Sequence, residues 1–310
     1  MGQGDLPRLT RDGDQPARIA RGSRTETTVM KFASVTIAGR PSWGIIEDNT
    51  FCDLGALLAH RVPDLSAAIA TGDLKALAMH KVEAHRYDVG DLAWLPVIPE
   101  PSKIICVGLN YEKHRKETGR AEVAHPTIFL RVADSQTGHG CPILRPKVST
   151  QLDYEGELAV IIGKPGRYIP AAEAWSYVAG YSCYNDGSIR DWQWHTHQFS
   201  PGKNFPQTGA FGPMLVTPDE VGDLASLRLQ TRLNGEVMQD AVFGDMIFDI
   251  PTLIEYASSF TPLAPGDVIV SGTPGGVGAK RKPPVWMKPG DVVEVEIDRV
   301  GLLINTIADE

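Results

Sequence analysis

The chain has 310 residues, of which 42% are hydrophobic and 22% charged, and its net charge is −8. This composition predicts a globular protein with one large or two unequal domains, and the acidic balance argues against a nucleic-acid surface. The sequence has no run of about 18 apolar residues, so we expect no membrane span. Its four cysteines are scattered without Cys-x-x-Cys spacing, which fits reduced thiols in a cytoplasmic protein.

The N-terminal third of the chain is predicted to contain a tail and a small domain. Residues 1–28 are polar and lack the apolar core of a signal peptide, so we expect a disordered tail or an unusual leader. Residues 29–98 are expected to form a small α+β domain, because alternation from Met30 predicts a hairpin and helical spacing follows over 55–87. Three prolines within 95–102 mark the candidate linker.

The rest of the chain, residues 99–310, is predicted to form a catalytic domain. A strand is expected at 103–108, and many short apolar runs separated by Gly and Pro predict further strands. Helical spacing is clear only near 246–259. The predicted fold class is therefore α+β, mainly β.

Paired carboxylates stand within one apolar run, at residues 152–163. The run is predicted to be a buried strand, on which Glu155 and Glu157 point to the same face. A second strand-like run, 177–185, leads to Asp186. Buried like charges repel each other, and a hard divalent cation such as Mg²⁺ or Mn²⁺ would compensate them. A Glu-x-Glu pair is also common on solvated strands, but these flanks are too apolar for that.

A histidine and a glutamate follow the strand predicted at 103–108. Glu117 lies three residues after His114, so a helical turn would place both on one face. Glu117 would then orient the imidazole, and His114 would act as the base that activates water. The neighbouring Lys113, Arg115 and Lys116 leave an alternative, a solvated surface pair.

Seven motifs follow one another between residues 103 and 308. They are Val107-Gly108-Leu109-Asn110-Tyr111 with His114 and Glu117; Leu152-Asp153-Tyr154-Glu155-Gly156-Glu157-Leu158; Gly180-Tyr181 with Asn185, Asp186, Ser188, Arg190, Asp191 and Gln193; Gly202-Lys203 with Phe205; Gly212-Pro213; Leu233-Asn234-Gly235-Glu236; and Ser271-Gly272-Thr273-Pro274-Gly275-Gly276-Val277-Gly278. In this order and spacing they resemble the fumarylacetoacetate hydrolase family.

This resemblance implies a mixed β-roll or barrel-like catalytic core, usually in a homodimer. It implies an Mg²⁺ or Mn²⁺ site made by Glu155, Glu157 and Asp186. It also implies a small anionic oxo acid as the substrate, with a 1,3-dicarbonyl or 2-oxo acid unit that chelates the cation. Neither a nucleic acid nor a membrane is expected as a partner.

Five further residues are candidates for contact with the substrate. Lys203 would meet an oxyanion or a carboxylate and is counted with His114 and Glu117 as catalytic. Arg190 and Gln193 would face the metal side if they lie on a helical turn, and Arg suits a carboxylate. Thr273 and the backbone around Gly272 would bind a carboxylate. The alternative for Arg190 and Gln193 is surface hydrogen bonding, and the alternative for Thr273 and Gly272 is a plain turn.

Some positions depart from the pattern of the family. Gly187 stands where a larger residue is frequent, and Arg131 stands where we expect lysine. The stretch 192–197 is unusually aromatic. We therefore expect room beside the metal and aromatic walls. His195 and His197 alternate like zinc ligands, but shaping of the substrate site or a plain surface position is favoured.

Three functions fit these residues. The first is hydrolysis of a carbon–carbon bond in a 2,4-dioxo acid or acylpyruvate, in the catabolism of an aromatic compound or sugar acid. The second uses the same site to decarboxylate an oxaloacetate-like acid or to isomerise a 2-hydroxydienoate between keto and enol forms. The third is a metal-stabilised structural or binding protein without turnover.

Overall fold

The computed structural model describes residues 1–2, 30–119, 121 and 123–310. Nearly all of the predicted tail at 1–28 lies outside these residues. Within them, no helix is both long enough and apolar enough to cross a membrane.

Helices in the described part of the chain are short. They are α1 (Leu54–Leu58), α2 (Leu65–Ala70), α3 (Leu74–Ala78), α4 (Glu112–Thr118), α5 (Arg190–Gln193), α6 (Ser200–Lys203), α7 (Pro218–Val221) and α8 (Ile250–Phe260). Aspartates cap the N-termini of α1, α2, α3 and α8, where their carboxylates accept free backbone amides. The 3₁₀ turn Gly278–Lys280 becomes important below.

Strands carry most of the ordered backbone. In the same described residues they are β1 (Lys31–Ile37), β2 (Arg40–Glu47), β3 (Thr50–Asp53), β4 (His85–Asp88), β5 (Ala93–Trp94), β6 (Ile104–Gly108), β7 (Thr127–Arg131), β8 (Gln136–Thr137), β9 (Ile143–Arg145), β10 (Leu152–Asp153), β11 (Gly156–Ile162), β12 (Val178–Asp186), β13 (Ser188–Ile189), β14 (Gly209–Val216), β15 (Arg228–Leu233), β16 (Glu236–Val242), β17 (Val268–Val270), β18 (Val292–Ile297) and β19 (Gly301–Asp309).

The largest sheet has twelve strands. Its order is β4-β3-β2-β1-β14-β12-β11-β17-β6-β7, with β5 beside β1 and β8 beside β14. A five-stranded sheet has the order β16-β15-β18-β19-β9, and β10 pairs with β13. Of the described residues, 37% lie in strands and 26% in helices, which confirms the predicted α+β, mainly β class. The barrel-like expectation needs one correction: the described strands form no closed barrel, because β4 and β7 end the large sheet without pairing to each other.

Strand β11 lies at the centre of the core. Leu158, Val160 and Ile162 point into one hydrophobic cluster, which includes residues of the five-stranded sheet, whereas Ala159 and Ile161 point into a second cluster with α1 and α2. Both faces of the strand are therefore buried, which explains its uninterrupted aliphatic run. The residues at the start of this strand are therefore held by a fully buried element.

The N-terminal strands extend the same large sheet. The predicted hairpin is confirmed, since β1 and β2 pair antiparallel, and β1 also pairs with β14. The helical prediction for 55–87 is correct for α1 to α3 but wrong at its end, where β4 pairs with β3. Edge pairing with β3 overrides the local helical pattern there. The division into domains at residues 98 and 99 stays a prediction.

Candidate active site

Three carboxylates converge where β11 begins and β12 ends. Glu157 pairs with Tyr184 in the antiparallel register, and the amide of Asp186 donates to the carbonyl oxygen of Glu155 at 2.8 Å. This register brings one side-chain oxygen each of Glu155, Glu157 and Asp186 within 4.8 Å of one another, and all three residues are buried. We call these three residues the acidic triad.

The strand predicted over 152–163 is interrupted inside its motif. Strand β10 ends at Asp153 and β11 begins at Gly156, so Glu155 precedes the strand instead of lying within it. The reason is that side chains replace the backbone partners at this point. The amide of Glu155 donates to Oδ1 of Asn185, and the amide of Gly156 donates to Oε1 of Gln239, each at 2.9 Å.

Buried cations hold two members of the acidic triad. Nζ of Lys203 donates to Oε2 of Glu155 and to Oδ2 of Asp186, each at 2.6 Å. Nη2 of Arg190 lies 2.7 Å from Oε1 of Glu155, and Nη1 of Arg131 donates to Oδ1 of Asp186 at 2.6 Å. Lys203 therefore contacts protein carboxylates here, and its predicted role toward a substrate oxyanion stays a prediction.

The charges of the triad are unevenly compensated. Burial would raise the pKa of Glu155, but Arg190 and Lys203 outweigh it and hold this pKa well below its usual range. Burial also raises the pKa of Glu157, and here the neighbouring Asp186 and Glu155 raise it further. Burial would lower the pKa of Lys203, but Asp186 and Glu155 outweigh it and raise this pKa. Glu157 is thus the acid of the triad that needs a further positive charge.

The donor set fits a hard divalent cation. Asp153 is buried beside the acidic triad, so four carboxylates share three buried cations, Arg131, Arg190 and Lys203. Carboxylate oxygens are the ligands that Mg²⁺ and Mn²⁺ prefer. Since the triad keeps an excess of negative charge, its residues are suited to hold such an ion.

A cavity of about 110 Å³ opens at the two glutamates of the triad. Its buried residues include Val107, His114, Phe129, Glu155, Glu157, Arg190, Gln193, Lys203, Thr273 and Val277. Trp194 and Lys280, both exposed, line its mouth, and Phe199 forms part of the wall. Aromatic walls are present, but of the aromatic residues in the stretch 192–197 only Trp194 lines the cavity, together with Phe129 and Phe199 from outside that stretch. The cavity suits a molecule of a few carbon atoms.

His114 reaches this cavity from α4. Its Nδ1 lies 3.6 Å from Oε2 of Glu117, as the predicted helical turn requires. The amide of Gly276 donates to Oε2 of Glu117 at 3.1 Å, which ties the helix to the glycine-rich loop. Burial would raise the pKa of Glu117, but His114 and this amide outweigh it and lower the pKa. Glu117 therefore stays ionised and faces Nδ1 of the imidazole, at a distance longer than a hydrogen bond.

Arg190 and Gln193 lie on one helical turn, α5, as expected. Nη1 of Arg190 donates to Oε1 of Gln193 at 2.8 Å, and its Nε donates to Oδ2 of Asp153, also at 2.8 Å. The turn faces the side of the acidic triad, as expected, and it does so through the contact of Arg190 with Glu155. The short strand β13, which pairs with β10, sets this direction. Substrate contact by Arg190 and Gln193 stays a prediction.

The glycine-rich loop also contacts the triad. The amide of Gly272 donates to Oε2 of Glu157 at 2.6 Å, and Oγ1 of Thr273 donates to the carbonyl oxygen of Gly156 at 3.0 Å. Nε2 of Gln239 donates to Oγ1 of Thr273 at 2.8 Å. Both loop residues thus position Glu157 and its strand. Their predicted contact with a substrate carboxylate is a separate property and stays a prediction.

Sequence reasoning missed several residues of this site. Asp153 accepts the amides of Gly278 and Ala279 at 2.8 and 2.9 Å and also binds Arg190, whereas the sequence showed it only as a member of the second motif without a role of its own. Gln239 had no signal at all. Lys280 follows the last motif but belongs to none.

Two histidines predicted as ambiguous lie away from the triad. His195 and His197 are exposed in the loop after α5, and the ring centroid of His195 lies 4.9 Å from that of Trp192. Among the described residues, neither belongs to a cluster that could hold a metal ion. The alternating pattern therefore does not correspond to a strand.

Gly187 does not leave room beside the triad, contrary to expectation. A Cβ there would overlap the carbonyl oxygen of Thr208, while the Gly187 carbonyl accepts Nη1 of Arg131 at 3.0 Å. Gly187→Ala is expected to lower the free energy of unfolding by about 1–3 kcal/mol, because the backbone must shift. Calorimetry against the exposed control Gly90→Ala checks this, and equal stability of the two variants would contradict the packing argument.

Comparison with known proteins gives the family. The model for the C-terminal region of fumarylacetoacetate (FAA) hydrolases matches residues 103–308. The chain belongs to the fumarylacetoacetate hydrolase family. It is 42% identical to the oxaloacetate tautomerase YisK of Bacillus subtilis over 300 residues, covering 90% of this chain and all of that one. It is 41% identical to the mitochondrial oxaloacetate tautomerase Fahd2a of Rattus norvegicus over 294 residues, covering 94% and 93% of the two chains.

Solved structures show the same fold. A fumarylacetoacetate hydrolase from Exiguobacterium antarcticum is 35% identical, with a TM-score of 0.77 and coverage of 91% of this chain and 100% of that one. A maleylpyruvate hydrolase from Sphingobium sp. SYK-6, in complex with manganese (II) ion and pyruvate, is 27% identical, with a TM-score of 0.76 and coverage of 90% and 99%. The predicted family is thereby confirmed, and its members include tautomerases as well as hydrolases.

Proposed function

We propose that this protein is a divalent-metal-dependent tautomerase that interconverts the keto and enol forms of oxaloacetate or a closely similar 2-oxo acid. The observation that carries the proposal is that His114 lines the same small cavity as Glu155 and Glu157. Two relatives that match the chain over nearly its whole length are oxaloacetate tautomerases, which supports the choice of substrate. Tautomerisation is therefore favoured over the first function predicted from the sequence.

Keto–enol conversion needs a group that moves a proton and a charge that stabilises the enolate. The acidic triad would hold Mg²⁺ or Mn²⁺, which when bound supplies a Lewis acid for the 2-oxo group. Glu117 lies on the Nδ1 side of His114, at 3.6 Å, so Nε2 is the ring nitrogen that would take a proton from the carbon next to the 2-oxo group. In the direction of the enol, the 2-oxo oxygen gains one proton as the carbon loses one, so the reaction has no net proton change. Arg190 and Lys203 fix Glu155 throughout.

A direct assay tests this reaction. Ketonisation of enol-oxaloacetate is followed by ultraviolet absorbance with the protein and Mn²⁺ or Mg²⁺, and again after chelation. We expect the metal-loaded protein to accelerate the conversion at least tenfold over metal alone and chelation to remove the effect. A rate equal to that of free metal at every protein concentration would refute the proposal.

Carbon–carbon bond hydrolysis is the second candidate. The His114–Glu117 pair is also the arrangement that would activate water, and a similar structure is that of a maleylpyruvate hydrolase. Product analysis separates the possibilities: acylpyruvates release pyruvate and a second acid if hydrolysis occurs, whereas CO₂ release from oxaloacetate reports decarboxylation.

The assembly and the location of the protein are separate proposals. We expect a homodimer in the cytoplasm, in a catabolic route for an aromatic compound or sugar acid, without nucleic-acid or membrane partners. Light scattering of the purified protein measures the assembly directly.

A further inference from the structure

Lys280 is a cation at the mouth of the active-site cavity. It is exposed, and within the described part of the chain its Nζ makes no ion pair; it stands 5.9 Å from the ring centroid of Trp194. Both residues line the cavity.

The cations deeper in the cavity are already engaged. Arg190 contacts Asp153 and Glu155, and Lys203 contacts Glu155 and Asp186. These pairs neutralise the charges of the protein itself. A bound metal ion would add enough positive charge for one substrate carboxylate near the triad, but not for a second one farther out.

The backbone of Lys280 is held firmly. It ends the 3₁₀ turn that begins at Gly278, and its amide donates to the carbonyl oxygen of Val277 at 3.2 Å. Asp153 accepts the amides of Gly278 and Ala279. Only the side chain of Lys280 is therefore free to adjust, which lowers the entropic cost of binding an anion there.

We propose that Lys280, supported by the face of Trp194, binds the second carboxylate of a dicarboxylic 2-oxo acid. The chelating end of the acid lies at the acidic triad, so the inference rests on the proposed function for that end alone. The methylene carbon between the two ends would pack against the indole of Trp194. The pair thus selects diacids over monoacids of the same length.

Calorimetric titration of the Mn²⁺-loaded protein tests the selection. The matched probes are oxaloacetate with 2-oxobutanoate and 2-oxoglutarate with 2-oxopentanoate, in which a methyl group replaces the distal carboxylate. We expect at least one diacid to bind about tenfold more tightly than its partner, as one charge-assisted hydrogen bond allows. Lys280→Met should remove this ratio while leaving the affinity for the monoacids unchanged, and Lys280→Arg should retain it.

Lys288→Met is the matched control, since it removes an equal charge from an exposed position outside the cavity lining. The inference is overturned if the wild type shows no preference in either pair, or if Lys280→Met keeps the ratio. Failure of the proposed function gives a different result, because the protein would then not tautomerise oxaloacetate. The ratio of diacid affinity to monoacid affinity would still decide the role of Lys280.

Discussion

Glu157→Gln is expected to stabilise the metal-free protein at about pH 8 and to abolish its binding of divalent cations. The pKa of Glu157 is raised by burial and by the adjacent Asp186 and Glu155, so the folded state binds this proton more tightly than the unfolded state does. The favourable contribution of this group is complete below the unfolded pKa of about 4.3 and is lost as the pH rises through the folded pKa. Replacement by glutamine abolishes this loss of stability at high pH, but it also removes a carboxylate that would bind the metal ion.

Thermal unfolding between about pH 5 and pH 8, with chelator and with Mn²⁺, measures both effects. We expect the variant to gain about 1–3 kcal/mol over the wild type at the upper pH without metal, and Mn²⁺ to stabilise the wild type alone. The exposed Glu236→Gln serves as the control. Equal stabilisation of Glu157→Gln by Mn²⁺ would show that this residue is no ligand.

His114→Ala is expected to slow the reaction by a factor of about 10²–10⁴, the usual contribution of a positioned general base. Its affinity for Mn²⁺ should change little, because His114 is not a member of the acidic triad. Glu117→Gln should have a smaller effect, since Glu117 acts through His114. Steady-state kinetics and metal titration of each variant measure these outcomes.

His60→Ala, an exposed position away from the cavity, is the control for histidine loss. A large fall in metal affinity for His114→Ala would assign the imidazole to the metal instead of to proton transfer. An unchanged rate would place the proton-transferring group elsewhere in the cavity.

The sequence was informative where spacing along the chain determines proximity. Glu155 and Glu157 are two residues apart, and His114 and Glu117 are three apart, so the members of each pair are brought to the same site by their short spacing. Asp186 was found because it ends a second apolar run. The predicted strand over 152–163 lacked the break at Glu155, where side chains of Asn185 and Gln239 replace the expected backbone partners.

The sequence was uninformative where partners are distant along the chain. Arg131 is paired with Asp186 across 55 residues, and Asp153 binds the amide of Ala279 across 126. Neither contact has a periodic signature, because the register between strands and the course of the loops determine it. The same reason explains why Gly187 was taken as open space, although the carbonyl of Thr208 fills it.

Asp153 has a consequence for altering the specificity of this protein. One carboxylate fixes both the arginine beside the triad and the turn that carries Lys280. The side chains of Trp194 and Lys280 at the mouth can therefore be replaced without disturbing these contacts of Asp153, since neither side chain takes part in them. Substitutions at Trp194 and Lys280 are therefore expected to change which ligand binds, while the residues of the reactive centre stay the same.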